Sequence, residues 1–161
     1  MGHQKTEEYY DKLYSEEGKT FRETPLPTVE KLTGFISGGS VLEIGAGAGA
    51  NSLYLAGKGF AVTAVDISSK AIAILEKRAA EAGLSVTTKV GDIAELGIHE
   101  NYDVIISAFT FHHLTKEEGY GLIKKMQEHT NPGGVNLLLV YTKNGEFYRN
   151  NPAMDRFYPD G

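Results

Sequence analysis

From Ser40 onward the chain alternates short β-prone apolar runs with stretches of helical periodicity, and this alternation constrains the fold more than any other feature. Residues 41–44, 61–65, 85–90, 102–108 and 135–142 read as strands. Helices are expected over 51–58, from Ser68 or Ser69 to about Ala82, and from a Thr115-Lys116-Glu117-Glu118 capping box to Pro132-Gly133-Gly134. Ile72, Leu75 and Ala79 recur at helical steps, and Leu122, Ile123 and Met126 mark another buried stripe. Two strands separated by a helix pair in parallel, because only a crossover brings the chain back in the same direction. The expected class is therefore α/β, a Rossmann-like, doubly wound, mainly parallel sheet. Ahead of it, helices over about 6–15 and 27–36 are divided by Gly18 and Pro25.

Length and composition narrow the class of protein. At 161 residues the chain suits one domain, with 1–38 as a helical cap, 39–142 as the core and 143–161 as an irregular tail. No apolar run reaches the 18 residues of a membrane span, and the N-terminus lacks a secretory apolar core, so the cytoplasm is the expected compartment. There is no cysteine, hence no disulfide, thiolate metal site or cysteine nucleophile. A net charge of −5 without any Lys/Arg block disfavours nucleic acid and favours a small-molecule substrate.

Chemistry concentrates in Glu43-Ile44-Gly45-Ala46-Gly47-Ala48-Gly49-Ala50, between the first strand and its helix. Glycines let the backbone turn and approach a ligand, and the following helix N-terminus offers free N–H groups. Gly45, Gly47 and Ala50 also fit a dinucleotide fingerprint, and Asp66 stands where an acid would hold ribose hydroxyls. The loop and Asp66 thus admit either NAD or another adenosine-type cofactor. Glu43 favours the second, since a carboxylate there suits the ammonium of a methionine moiety and would repel a pyrophosphate. Asp92, closing the third strand, is placed to meet an adenine amino edge. S-adenosylmethionine is the preferred cofactor.

These segments resemble class I methyltransferases: 41–47 is similar to their first motif, and Asp66, Gly91-Asp92, Tyr102-Asp103 and Pro132-Gly133-Gly134 to later ones. Residues 51–56 and 132–137 more narrowly resemble the tellurite-resistance methyltransferase family. The resemblance implies strand order 3-2-1-4-5 and a small-molecule acceptor, an oxyanion of tellurium or selenium or a nucleophile such as a thiol. It also implies cofactor contacts from Gly45, Gly47, Asp66, Asp92, Ala108 and Phe109. Glu43, Ala46, Asn51, Ile67 and Ile93 are included with them, and Tyr14 and Arg22 of the N-terminal cap are further candidates. Such proteins continue into an antiparallel hairpin carrying basic substrate-side residues. The expectation here is a sheet lacking that hairpin, with an open edge that invites pairing with a second copy. A cofactor-binding module with an incomplete substrate side is the alternative from another class, and an NAD-dependent oxidoreductase a third.

Other candidates are weaker. His112 or His113 could act as a general base, but adjacent histidines without a third ligand do not make a metal site. Tyr9, Tyr10 and Tyr14 could place a ring over a sulfonium, and Phe147, Tyr148, Phe157 and Tyr158 could line a substrate pocket. No Gly-x-Ser-x-Gly elbow or Gly-Lys-Ser/Thr loop is present. Methyl transfer depends chiefly on alignment, so no catalytic residue is assigned.

Overall fold

Each central strand is apolar on both faces, as a parallel strand between two layers of helix must be. A computed structural model describes residues 3–15, 21–95, 97–150, 157 and 159. The strands β1 (Ser40–Ile44), β2 (Ala61–Asp66), β3 (Val86–Val90), β4 (Tyr102–Ala108) and β5 (Thr130–Leu139) form one sheet. Its order is β3-β2-β1-β4-β5, with every neighbouring pair parallel. Val41, Val62, Val104 and Ile106 turn to one core, where α2 (Pro27–Leu32) and α3 (Ala50–Gly57) add Val29, Leu32 and Leu55. Leu42, Ile44, Val65 and Ile105 turn to the other, against Leu122 and Met126 of α5 (Lys116–Glu128).

Local signals end the helices where expected. The Thr115–Glu118 capping box is formed in both directions. Ser68 caps α4 (Ser69–Glu81) by accepting the Ala71 N–H at 3.1 Å. The helix buries Ala71, Ile72, Leu75 and Ala79. At the N-terminus, α1 spans His3–Ser15. No helix among the described residues is long and apolar enough to cross a membrane.

Three expectations are corrected. The helix expected to reach residue 36 stops at Leu32, where Thr33 Oγ1 donates to Glu30 O at 2.8 Å and Gly34 begins a turn. Pro132-Gly133-Gly134 does not end α5, whose C-cap is His129; it forms an irregularity inside β5. There the register passes from Tyr102↔Thr130 to Val104↔Val135. Proline is tolerated because β5 is an edge strand, and Gly133 takes φ 82°. The strand consequently starts at Thr130 and ends at Leu139, ahead of the expected 135–142. The tail is also not wholly irregular, since Glu146–Asn150 forms the short helix α6, begun at Gly145.

The chain winds outward from β1 to β3, then crosses back to place β4 on the other side of β1. In such a sheet the crevice opens at the carboxyl ends of the two strands flanking that reversal.

Candidate functional site

The crevice is shaped first by the loop after β1. Gly45 N–H and Ala46 N–H both donate to Val65 O, at 2.8 and 3.0 Å, which fastens the loop to β2. Gly45 holds φ 77° and Gly49 φ 84°, both in the left-handed region. A Cβ at Gly45 would run into Thr110, and one at Gly49 into Leu75. From α4, Arg78 Nη1 donates to Ala48 O at 2.6 Å.

Asp66, at the end of β2, reaches this loop. Its Oδ2 accepts the Gly47 N–H at 2.7 Å and its Oδ1 the Ser68 N–H at 2.9 Å. Burial raises its pKa, opposed by hydrogen bonds from the Ser68, Gly47 and Ile67 backbones. Asp92 sits beyond the end of β3, its Oδ1 accepting the Ala94 N–H at 2.9 Å.

Glu43 is held by neighbouring side chains. It is 1% exposed, and its oxygens accept from Asn51 Nδ2 at 2.8 Å and Ser52 Oγ at 2.5 Å. Asn51 Oδ1 in turn accepts the Leu26 N–H at 2.9 Å. Glu43 and Asn51 therefore join β1, the first turn of α3 and the segment before α2. Burial pushes the Glu43 carboxyl up from 4.5 to about 7, against the lowering effect of Ser52 and Asn51.

These groups border a cavity of about 590 Å³. Asp66, Ile67, Asp92 and Ile93 line one side of it, and Gly45, Gly47, Ala108 and Phe109 lie at the crevice itself. A second hollow of about 250 Å³ shares Tyr14, Gly45, Gly47, Ala108 and Phe109 with the first. Arg22, Glu43, Ala46 and Asn51 border that hollow. All thirteen residues singled out from the sequence thus line one or both of these adjoining hollows. Phe109 is held at φ 56°, a strained conformation for a non-glycine residue, while its N–H donates to Leu139 O at 2.8 Å.

Helix α1 roofs this space. Asp11 accepts from Ser68 Oγ at 2.6 Å and Ser69 Oγ at 3.3 Å, tying α1 to the start of α4. Tyr14 stacks on Phe21 at 4.8 Å, and burial followed by the Asp66 carboxylate pushes its hydroxyl up to about 12. Tyr10 Oη and His113 Nε2 hydrogen-bond at 2.8 Å. His112, Tyr141 and Phe147 complete this end, with Tyr141 and Phe147 stacked at 4.0 Å.

Sequence reading missed Thr110 and Tyr141. Thr110 follows a strand already marked as a site border, so its place was a usable signal. Tyr141 arrives from the far end of β5 and carried none. Chemically, the site combines a strand-end acid for paired hydroxyls, a glycine loop whose amides are fastened to β2 and to Asp66, and an aromatic, histidine-bearing chamber. It suits an extended adenosine-type ligand with a second small molecule beside it.

Comparison with known proteins agrees with this geometry. Residues 3–152 match the family model described as Tellurite resistance protein TehB. A protein of Haemophilus influenzae, named "Probable S-adenosyl-L-methionine-dependent methyltransferase TehB", is 43% identical over 105 residues, 65% of this chain and 37% of its own length. The chain thus spans well under half of the first curated relatives it matches. The crystal structure of TehB from Haemophilus influenzae aligns with a TM-score of 0.67 and 37% identity, covering 82% of this chain and 44% of that one. A structure described as "Conversion of a Disulfide Bond into a Thioacetal Group during Echinomycin Biosynthesis" aligns at 0.76 with 29% identity, covering 96% and 68%.

Proposed function

The chain belongs to the TehB tellurite resistance family, and on that premise we propose that it is an S-adenosylmethionine-dependent methyltransferase acting on a small molecule. The observation carrying this reading is Asp66, at the carboxyl end of β2, with one oxygen on the glycine loop and its carboxylate bordering the cavity. The ribose diol would lie against Asp66 and Ile67, and the adenine against Asp92 and Ile93. The methionine portion would occupy the smaller hollow, with the Arg22 guanidinium toward its carboxylate. Tyr14, Ala108 and Phe109 border the junction where the sulfonium belongs. When bound, the cofactor supplies a methyl group already activated by positive sulfur. This chain's residues then align the acceptor and exclude water.

The aromatic chamber of Tyr10, His113, Tyr141 and Phe147 is the proposed acceptor side, taking a tellurium or selenium oxyanion or a thiol. The same reading makes residues 1–161 one methyltransferase domain, places it in the cytoplasm and gives nucleic acid no part. Its β5 edge would pair with a second copy, and a monomer by sedimentation would end that point. The dinucleotide alternative is not favoured, because the named relative is a methyltransferase.

Thermal unfolding tests the cofactor. S-adenosylmethionine or S-adenosylhomocysteine at about 100 times the dissociation constant should add about 2.7 kcal/mol, with no effect of NADH. Transfer of labelled methyl to tellurite, selenite and a thiol panel tests the reaction. Binding with background transfer to all of them would leave the cofactor-module reading instead.

A further inference from the structure

We infer that the Tyr10 hydroxyl and the His113 imidazole form a proton relay serving a proton-bearing acceptor, a neutral thiol or selenol, an inference that rests on the methyltransferase reading of the same cavity. The two residues are 103 positions apart, yet Oη and Nε2 lie 2.8 Å apart and the rings meet edge to face at 5.3 Å. Both border the chamber beside Ala108 and Phe109. The turn bearing His113 is firmly placed. His113 N–H donates to Thr110 O at 3.0 Å, and the neighbouring Phe111 and Leu114 are completely buried.

Burial, with Tyr14, Tyr9 and Asp66 nearby, holds the Tyr10 hydroxyl well above the ordinary tyrosine range. It therefore keeps its proton near neutrality and can donate to Nε2, leaving the neutral imidazole proton on Nδ1. The groups facing this pair are Tyr9 and Tyr14 on α1, His112 on the same turn, Tyr141 after β5 and Asp66 of β2.

The step balances without another reactant. The acceptor's lone pair on sulfur or selenium forms the bond to the methyl carbon, and the carbon–sulfonium bond breaks with its electrons remaining on sulfur. The acceptor's proton passes to Tyr10 Oη as the Tyr10 proton passes to His113 Nε2. The products are a methylated thioether or selenoether, S-adenosylhomocysteine and an imidazolium that releases its proton to solvent. An acceptor that arrives already ionised gains nothing from the pair.

Tyr10→Phe and His113→Gln, assayed with an alkyl thiol and with an aryl thiol that is largely thiolate at pH 7, separate this from a merely structural clasp. The relay requires the alkyl-thiol kcat to fall on the order of 10²-fold at pH 7 and to recover as pH approaches that thiol's own pKa. In each variant the aryl-thiolate kcat and the S-adenosylhomocysteine affinity should fall at least tenfold less than the alkyl-thiol kcat. Independently of turnover, ¹⁵N spectra of the parent should show His113 Nε2 as an unprotonated acceptor at neutral pH, and Tyr10→Phe should shift it. Equal losses for both thiols, affinity lost in step with rate, unchanged rates or a protonated Nε2 would each overturn the relay. No transfer to either thiol by the parent overturns it too, whereas failure of S-adenosylhomocysteine to bind the parent overturns the methyltransferase reading beneath it.

Discussion

Asp66 accepts the backbone N–H of Gly47 at 2.7 Å, so the acid at the end of β2 is also a brace for the glycine loop after β1. Its other oxygen accepts the Ser68 N–H at 2.9 Å, at the start of α4. A carboxylate can accept from both amides and still offer lone pairs to a ribose diol. An amide cannot, since one of its two ends is a donor.

Asp66→Asn is therefore not a conservative change. Its NH₂ must face the Gly47 or the Ser68 N–H, and the unmet bond should cost about 1–3 kcal/mol. Denaturant unfolding measures that loss, and calorimetry should show S-adenosylhomocysteine binding weakened at least tenfold (about 1.4 kcal/mol). Parent-like affinity in Asp66→Asn and Asp66→Ala would remove the carboxylate from the cofactor site.

Glu43 gives the fold a pH dependence with a definite sign. Its folded pKa is raised from 4.5 to about 7, so the folded state holds this proton more tightly than the unfolded chain. The contribution is fully present below pH 4.5 and is lost as pH rises through about 7. The difference across that window is about 3 kcal/mol. Asp66, also raised, adds a slope of the same sign, so the measurement is the difference between parent and Glu43→Gln. Glutamine can accept from Asn51 and donate to Ser52, keeping both partners while removing the proton. The Gln variant should be the more stable above pH 7 and show a flatter profile from pH 5 to 7; parallel profiles would refute the assignment.

Gly45 and Gly83 share a left-handed backbone but differ in surroundings. A Cβ at Gly45 meets Thr110 at the cavity wall, whereas one at Gly83 meets nothing within 4 Å. Gly83→Ala should cost about 1–2 kcal/mol of conformational strain and leave cofactor affinity unchanged. Gly45→Ala should cost more than that and abolish the thermal shift with S-adenosylhomocysteine. Equal behaviour of the two variants would show that the loop's close approach to Thr110 is unimportant.

What could be read ahead of the structure follows from the range of each interaction. Tyr102–Ala108 and the Thr115–Glu118 box were legible because periodicity and capping act within a few residues. Strand order was not, because pairing Val41 with Val104 depends on contacts across 63 positions, and only resemblance supplied it. Asp66 and Asp92 were placed correctly at strand ends, but the sequence does not reveal that Gly47 would share Asp66. The protein partners of Glu43 were hidden for a related reason: in the first turn of α3, Asn51 and Ser52 return to it and donate one bond to each oxygen. The Asn-Ser pair so soon after a buried acid was the available signal. Pro132 misled because a proline after a helix usually means a stop, whereas an edge strand can absorb it.

Helix α1 is held over the site mainly through side chains, and Asp11 is the contact most open to a clean test. Its carboxylate accepts from Ser68 Oγ, Ser69 Oγ and the Lys70 N–H, where the N-terminal end of α4 favours negative charge. The Ser68 hydrogen bond, chiefly, lowers its pKa below 3.8. Its contribution is therefore present above pH 3.8 and lost as pH falls through the lowered value. Because Asp11 is only partly buried and remains in reach of water, Asp11→Ala should change global stability by less than about 1 kcal/mol. The local effect should be larger, since the other ties of α1 among the described residues include only ring contacts and the hydrogen bonds of Tyr10 to His113 and of Tyr14 to the Ala48 backbone. Hydrogen exchange should show α1 amides opening faster in Asp11→Ala while β1 and β4 keep parent protection. If α1 is the roof of the cofactor site, S-adenosylhomocysteine should dissociate faster and bound ligand should restore protection of α1. Unchanged exchange in α1, or faster exchange with an unaltered dissociation rate, would separate Asp11 from ligand retention.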